Sequence, residues 1–98
     1  MCGAVAGGLP AGVDPGKEAV IQGVVKRGGE PVVGYVRLLD DGGEFTAEVP
    51  TSATGEFRFF AAPGTWTVRA LVPGGTADQL VNAAQGSVAQ VEVEVSVA

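Results

Sequence analysis

Residues 54–68 read TGEFRFFAAPGTWTV, and this stretch decides the fold class. A Thr-Gly turn opens it, and Phe57 and Phe59 follow two residues apart, which places both rings on one face of a β-strand. A Pro-Gly turn comes next, and Trp66 and Val68 then repeat the two-residue spacing. The stretch therefore predicts two short strands joined by a tight turn, each with one face directed toward a core.

The same alternation recurs on both sides of this stretch. The clearest case is the end of the chain, where Val91, Val93, Val95 and Val97 alternate with Glu92, Glu94 and Ser96, as in a half-buried strand with one wet face. The other alternating sets are Ile21-Gly23-Val25, Val36-Leu38 around Arg37, Phe45-Ala47-Val49 around Thr46 and Glu48, and Trp66-Val68-Ala70 around Thr67 and Arg69. Each set predicts one more short strand.

Clusters rich in glycine, proline and aspartate separate these segments. They recur at intervals of about 8–12 residues, as a sandwich or barrel requires. Residues 77–84 have no clear period and fit either a short helix or an irregular strand. The sequence thus predicts an all-β antiparallel sandwich of six or seven strands over residues 17–98, preceded by a flexible Gly/Ala/Pro tail, residues 1–16, that carries Cys2.

Size and charge limit the classes of function. The net charge is −5 with only six Lys and Arg, and phosphate contacts dominate nucleic-acid affinity, so we expect no nucleic-acid binding. No run approaches the roughly 18 apolar residues of a membrane helix. No basic residue precedes Lys17, which argues against a secretory signal. One cysteine cannot form an internal disulfide, and we predict a cytoplasmic protein.

The turn and strand motifs resemble a known superfamily. Three runs carry the likeness: residues 21–38, with Gly-Gly-x-Pro-Val-x-Gly at 28–34, then Thr54-Gly55-Glu56-Phe57-x-Phe59, then Pro63-Gly64-x-Trp66-x-Val68. They resemble the start of carboxypeptidase-regulatory-like domains, which are transthyretin-like sandwiches. The resemblance implies that fold and says little about function, because such sandwiches serve many roles.

A second resemblance is closer. The segments Val36–Asp40, Glu44–Val49 and Ala53–Gly64, together with the Met1-Cys2 start, are similar to the small actinobacterial SseC-like family. That family is associated with thiosulfate sulfurtransferases. The resemblance implies an accessory role in sulfur metabolism with a rhodanese-like sulfurtransferase as partner.

Cys2 is the first candidate for chemistry. A tail of about 15 residues spans on the order of 50 Å when extended, so its thiol could enter a partner's active site. Removal of Met1 would leave an amine beside the thiol, which lowers a thiol pKa, and the thiol could then carry a persulfide by exchange. The alternative is a surface cysteine without a role.

The second candidate is a binding face. Arg37, Arg58 and Arg69 each lie between inward apolar residues, so we expect them on one outer face, with Tyr35 or Phe60 beside them. Such a cluster on an acidic protein would bind an anion or an acidic partner. The alternative is ordinary cross-strand pairing with Glu44, Glu48 or Glu56.

The aromatic residues divide between core and surface. Phe59 and Phe60 are adjacent and cannot both point inward in a regular strand, so either Phe60 is exposed or a bulge buries both rings. Trp66 is assigned to the core. The chain has no His and only one Cys, which supports no metal site and no Ser-His-Asp apparatus, and we expect no cofactor.

Three functions remain open at this point. The chain is an accessory protein of sulfur metabolism that uses Cys2, or an interaction module that binds a partner through the Arg and aromatic face without thiol chemistry, or a stand-alone enzyme. The absence of a clustered acid, base and nucleophile disfavours the enzyme. The oligomeric state is left open.

Overall fold

The computed structural model describes residues 19–96, and the regular elements in this range are all β-strands. In chain order they are β1 (Ala19–Arg27), β2 (Glu30–Pro31), β3 (Tyr35–Leu39), β4 (Phe45–Pro50), β5 (Glu56–Ala61), β6 (Gly64–Val72), β7 (Gly75–Ala83) and β8 (Val88–Val95). Cys2, the predicted tail and Val97 lie outside the described residues. Within residues 19–96, no helix is long and apolar enough to cross a membrane.

The strands form two sheets that pack into a sandwich. Sheet A contains β5, β1 and β8 side by side, and the short β2 pairs with the end of β1. Sheet B has the order β4-β3-β6-β7. The predicted all-β sandwich is confirmed. One strand pair differs from the antiparallel expectation, because the last strand, β8, runs parallel to β1.

The core lies between the sheets and follows the predicted alternation. Phe57 and Phe59 both point inward, and their ring centroids are 6.0 Å apart. Trp66 is half-buried, packs against this core and donates a hydrogen bond from Nε1 to the Ala62 carbonyl at 2.9 Å. The other buried members of the cluster are Ala19, Ile21, Val25, Val36, Leu38, Ala61, Val68, Ala70, Val72, Ala83, Val91, Val93 and Val95.

Gly23 allows the centre of sheet A to close. It lies on β1 directly between Phe57 on β5 and Val91 on β8. A Cβ atom at this position would lie 1.7 Å from the Val91 carbonyl oxygen and 3.1 Å from the Phe57 ring. A side chain of any size would therefore displace backbone, which makes glycine a packing requirement at this point.

Two segments differ from a simple reading of the sequence. Residues 75–83 form a regular nine-residue strand, which pairs with β6 along its whole length. The two-residue alternation of this strand is not visible in the sequence, because the polar residue Gln79 occupies a position on the inner side. The edge strand allows this, since Gln79 is exposed there. In β4, a register shift pairs Leu39 with Phe45 and skips Thr46, so Phe45 lies on the outer face rather than in phase with Ala47.

Candidate functional site

The three predicted arginines lie on two different faces. Arg37 on β3 and Arg69 on β6 are directly opposite each other on sheet B. Arg58 is on β5, which pairs with β1 and belongs to sheet A. The expectation of one shared face is therefore wrong for Arg58. The reason is the strand order, since the inward and outward alternation of a strand does not specify the sheet to which it belongs.

A row of four charges crosses the outer face of sheet B. Glu48, Arg37, Arg69 and Asp78 occupy neighbouring positions on β4, β3, β6 and β7. Arg37 Nε donates to Glu48 Oε1 at 2.6 Å, and Arg69 holds Asp78 through two bonds of 2.8 and 3.0 Å. Cross-strand pairing, the alternative to an anion site, therefore describes both of these arginines. Glu48 is one of the partners that the sequence predicted, and Asp78 is not.

These pairs carry a clear electrostatic signature at one end of the row. The hydrogen bond from Arg69 lowers the pKa of the Asp78 carboxyl below its usual value. The same contact raises the pKa of the Arg69 guanidinium. Each positive charge in the row is matched by one negative charge, so the row is neutral as a whole. Its two arginines do not form the cationic site that would attract an anion on charge alone.

Apolar side chains lie on both sides of the charge row. On one side, Phe45, Leu39 and Leu80 form a second row that the polar Thr67 interrupts, and the Arg37 guanidinium is 5.8 Å from the Phe45 ring centre. Phe45 is 61% exposed and Leu80 is 67% exposed. On the other side, Tyr35 is also exposed and Leu71 is half-buried. Phe45 and Leu80 are members of this face that the sequence did not single out.

The outer face of sheet A is built differently. Arg58, Gln22 and Gln90 form a polar row across β5, β1 and β8, and Arg58 Nε donates to Gln22 Oε1 at 2.9 Å. These three residues line a depression of about 550 Å³, which Val24 and Glu92 also line. Lys26 Nζ lies 2.8 Å from Glu92 Oε2, and this contact raises the pKa of the lysine.

The adjacent residues Phe59 and Phe60 point to opposite sides of β5. Phe59 is buried in the core, and Phe60 is half-buried on the outer face of sheet A, beside Val20 in register. No bulge buries both rings. Val20 is only 3% exposed, although it lies outside the main core cluster. Phe60 and Val20 therefore form a small apolar area next to the polar depression.

This area lies at the end of the sheet where the chain enters the domain. Ala19, the first described residue, pairs with Ala61, one position from Phe60. The segment that carries Cys2 therefore joins sheet A beside Phe60. Among residues 19–96, no group of three His, Cys, Asp or Glu side chains could hold a metal ion. The described faces offer hydrogen bonds, ion pairs and apolar contacts, which are the components of a binding surface.

The sequence matches one family over nearly its whole length. Residues 2–95 match the family described as "Protein of unknown function (DUF1416)". An uncharacterized protein of Mycolicibacterium smegmatis is 54% identical over 90 residues, which cover 90% of this chain and 100% of that protein. An uncharacterized protein of Mycobacterium tuberculosis is 52% identical over 90 residues, with 90% of both chains covered.

Solved structures with similar folds are distant in sequence. The minor pilin GBS52 of Streptococcus agalactiae superposes with a TM-score of 0.69 at 12% identity, covering 84% of this chain and 45% of the pilin. A DUF3823 family protein of Parabacteroides merdae gives 0.62 at 18% identity, covering 81% of this chain and 46% of that one. The dioxygenase domain of a carbohydrate-binding fusion from a Streptomyces species gives 0.62 at 17%, covering 90% and 85%. At these identities the likeness shows the fold alone.

Proposed function

Because the chain belongs to the DUF1416 family of proteins of unknown function, we propose a role that its faces and its thiol support together. It is a non-catalytic accessory protein of sulfur metabolism, which binds a thiosulfate sulfurtransferase and accepts sulfur on Cys2. The assignment to sulfur metabolism rests on the resemblance to SseC-like proteins. The assignment to the superfamily of transthyretin-like sandwiches rests on the resemblance of the turn and strand motifs. The family match begins at residue 2, so Cys2 lies inside the segment that the family shares.

The observation that carries the proposal is the position of Arg58 and Phe60. Both lie on the outer face of sheet A, and Phe60 is one residue from Ala61, the partner of Ala19. A protein docked on this area would therefore sit next to the point where the Cys2 segment joins the sandwich. Phe60 supplies an aromatic contact and Arg58 a charged one, a combination that is enriched in protein interfaces.

The sulfur step needs no outside oxidant. The Cys2 thiolate attacks the outer sulfur of a persulfide on the sulfurtransferase, and the new S–S bond forms as the old one breaks. The sulfurtransferase is left with its thiolate and Cys2 with the persulfide, so electrons balance within the exchange. A reducing cytoplasm would keep the single thiol of this chain ready for the step.

Intact-protein mass spectrometry tests this chemistry. The protein is incubated with thiosulfate and a rhodanese-like sulfurtransferase, beside a Cys2→Ser variant. We expect a mass increase of one sulfur atom in the wild type and none in the variant. If the wild type gains no sulfur while its thiol is reduced and accessible, the carrier role is excluded.

Binding to the same sulfurtransferase tests the docking area separately. We expect Phe60→Ala and Arg58→Ala each to weaken binding at least tenfold, because interface aromatic and arginine side chains carry much of the affinity. The matched control is Phe45→Ser on sheet B, which leaves sheet A unchanged. Equal affinity of all three variants and the wild type would remove sheet A as the docking area.

A second candidate is an interaction module without thiol chemistry. It is favoured by the described surface itself, where ion pairs and exposed aromatic side chains supply binding contacts. The two candidates separate in the Cys2→Ser variant. An interaction module would keep its partner and its cellular effect without the thiol, whereas a sulfur carrier would keep the partner and lose the effect.

A further inference from the structure

We infer that the segment before the sandwich folds back over the outer face of sheet A, where Val13 packs on Val20 and Phe60. The segment comprises residues 1–18, which lie outside the described residues. The packing concerns the free chain and holds whether or not a sulfurtransferase is the partner. Its starting point is one outward side chain that is more deeply buried than its described neighbours on the sheet explain.

Val20 is buried although it points away from the core. It alternates with Ala19 and Ile21, which belong to the core cluster, and is itself 3% exposed. In register it lies between Phe60, which is half-buried, and Val88, which is 52% exposed. Side chains on neighbouring strands flank an outward residue but leave its outer side open to water. Val20 therefore needs a cover from above the sheet.

The second outward valine of β1 shows what flanking side chains achieve by themselves. Val24 lies between Glu56 and Glu92, whose side chains are longer than that of valine, and it is only half-buried. The contrast with Val20 places the cover at the end of the sheet where the chain enters the domain. Residues 1–18 join β1 at that end, so they are the part of the chain nearest to the covered position.

The sequence just before β1 supplies a chain reversal. Residues 14–17 read Asp-Pro-Gly-Lys, the pattern of a type II turn with Pro at its second and Gly at its third position. Such a turn directs Val13 back toward the start of β1. The returning chain cannot pair with β1, because β5 and β8 occupy both of its edges. The inner side is filled by the core, so the outer face is the surface on which the segment can lie.

Val13 is the side chain that suits this position. It is the first apolar residue before the turn. Packing it on Val20 and on the Phe60 ring removes apolar surface of all three side chains from water, which stabilises the contact. Gly12 and Ala11 precede it, and their small size lets the backbone approach the sheet closely.

In the free chain, Val13 thus occupies part of the area that we propose for partner docking. A protein that binds Phe60 displaces Val13, and the segment that carries Cys2 is then released beside that protein. The segment acts as a strap that the partner opens. This consequence rests on the proposed function, whereas the packing of Val13 on Val20 does not.

Paramagnetic relaxation in NMR spectra of the full chain tests the packing. In a Cys2→Ser background, a nitroxide is attached to Ala11→Cys, which leaves Val13 unchanged. We expect loss of the Val20 amide signal and retention of that of Thr65, because the outer face of sheet B lies beyond a second sheet about 10 Å away. Thr65 is the matched position, since β6 begins three residues after β5 ends, at the same end of the sandwich. Equal broadening of both signals, or none at Val20, would overturn the inference.

Substitutions in the segment identify the side chain that packs. In the labelled chain, Val13→Ser should restore the Val20 amide signal, whereas Val5→Ser, the matched control, should leave it broadened. Both positions lie outside the described sandwich, and the remaining amide signals verify that the variants are folded. If the Val20 signal stays broadened in Val13→Ser, Val13 is not the residue that covers Val20 and the inference is wrong. Binding of the sulfurtransferase is measured separately, so either result leaves the proposed function to its own test.

Discussion

On the outer face of sheet A, Arg58 contacts the neutral amide of Gln22 and lines a depression, whereas on sheet B Arg37 and Arg69 are each paired with a carboxylate on an edge strand. All three arginines occupy the same kind of position, between two inward apolar residues. Their surroundings differ because strand pairing gives each one a different neighbour. The alternation of a segment thus predicts that its arginine lies on the surface, but it does not predict the partner of that arginine.

The difference also separates two kinds of surface. Sheet A combines a polar depression with the half-buried Phe60 close to the chain's entry into the domain. Sheet B combines a neutral charge row with exposed Phe45 and Leu80. The same outward alternation therefore gives a depression on one sheet and a row of paired charges on the other.

The largest expected effect distinguishes the two sides of sheet A. Phe57→Ala should lower the free energy of unfolding by about 3–5 kcal/mol, because a buried aromatic side chain leaves a cavity. Phe60→Ala should cost less than about 1 kcal/mol, since its ring is half-buried on the outer face. Urea unfolding followed by the fluorescence of Trp66 measures both. Similar losses of unfolding free energy for the two variants would contradict the assignment of Phe57 to the inner side and of Phe60 to the outer side of sheet A.

The next effect concerns the centre of sheet A. Gly23→Ala should cost about 3 kcal/mol or prevent folding, because the added Cβ would overlap the backbone of Val91. Gly29→Ala is the control: no atom lies within 4 Å of its added Cβ, but φ is +84°, and we expect a loss of about 1 kcal/mol. Circular dichroism and urea unfolding compare the two. A stable Gly23→Ala protein would contradict the packing of β1 between β5 and β8.

The smallest effect sharpens the contrast between the arginine partners. The pKa of Asp78 is lowered in the folded state by its bond to Arg69, so the carboxylate stabilises the fold above the pKa of about 4 that it has when unfolded. This contribution should disappear as the pH falls through the lower folded pKa. Its size is small because the pair is half exposed to water.

Urea midpoints of wild type and Asp78→Asn between neutral and acidic pH measure this contribution. We expect the variant to be less stable at neutral pH and equal to wild type in acid. Gln22→Ala on sheet A is the matched control, since it removes a neutral partner of Arg58, and its difference from wild type should not vary with pH. If the difference in stability between wild type and Asp78→Asn were constant with pH, the ion pair would not stabilise the fold in solution.

Much of the fold could be predicted from local patterns. Phe57 and Phe59, and Val91, Val93 and Val95 of β8, lie on the inner side as their two-residue spacing indicated. Over residues 77–84 the sequence left a short helix and an irregular strand as alternatives, because the edge strand β7 has a polar residue, Gln79, at an exposed position on its inner side. The outward position of Phe45 escaped because a one-residue bulge reverses every side chain beyond it, and no local signal marks the bulge.

The sequence by itself determined the class of fold, the strands of the core and the outward direction of the arginines, because side-chain alternation is a local property of the backbone. Only the tertiary structure decided which strands are neighbours. It separated Arg58 from Arg37 and Arg69, paired Arg69 with Asp78, and placed β8 parallel to β1. These are contacts between residues far apart in the chain, and the register that sets them depends on the packing of the whole sandwich.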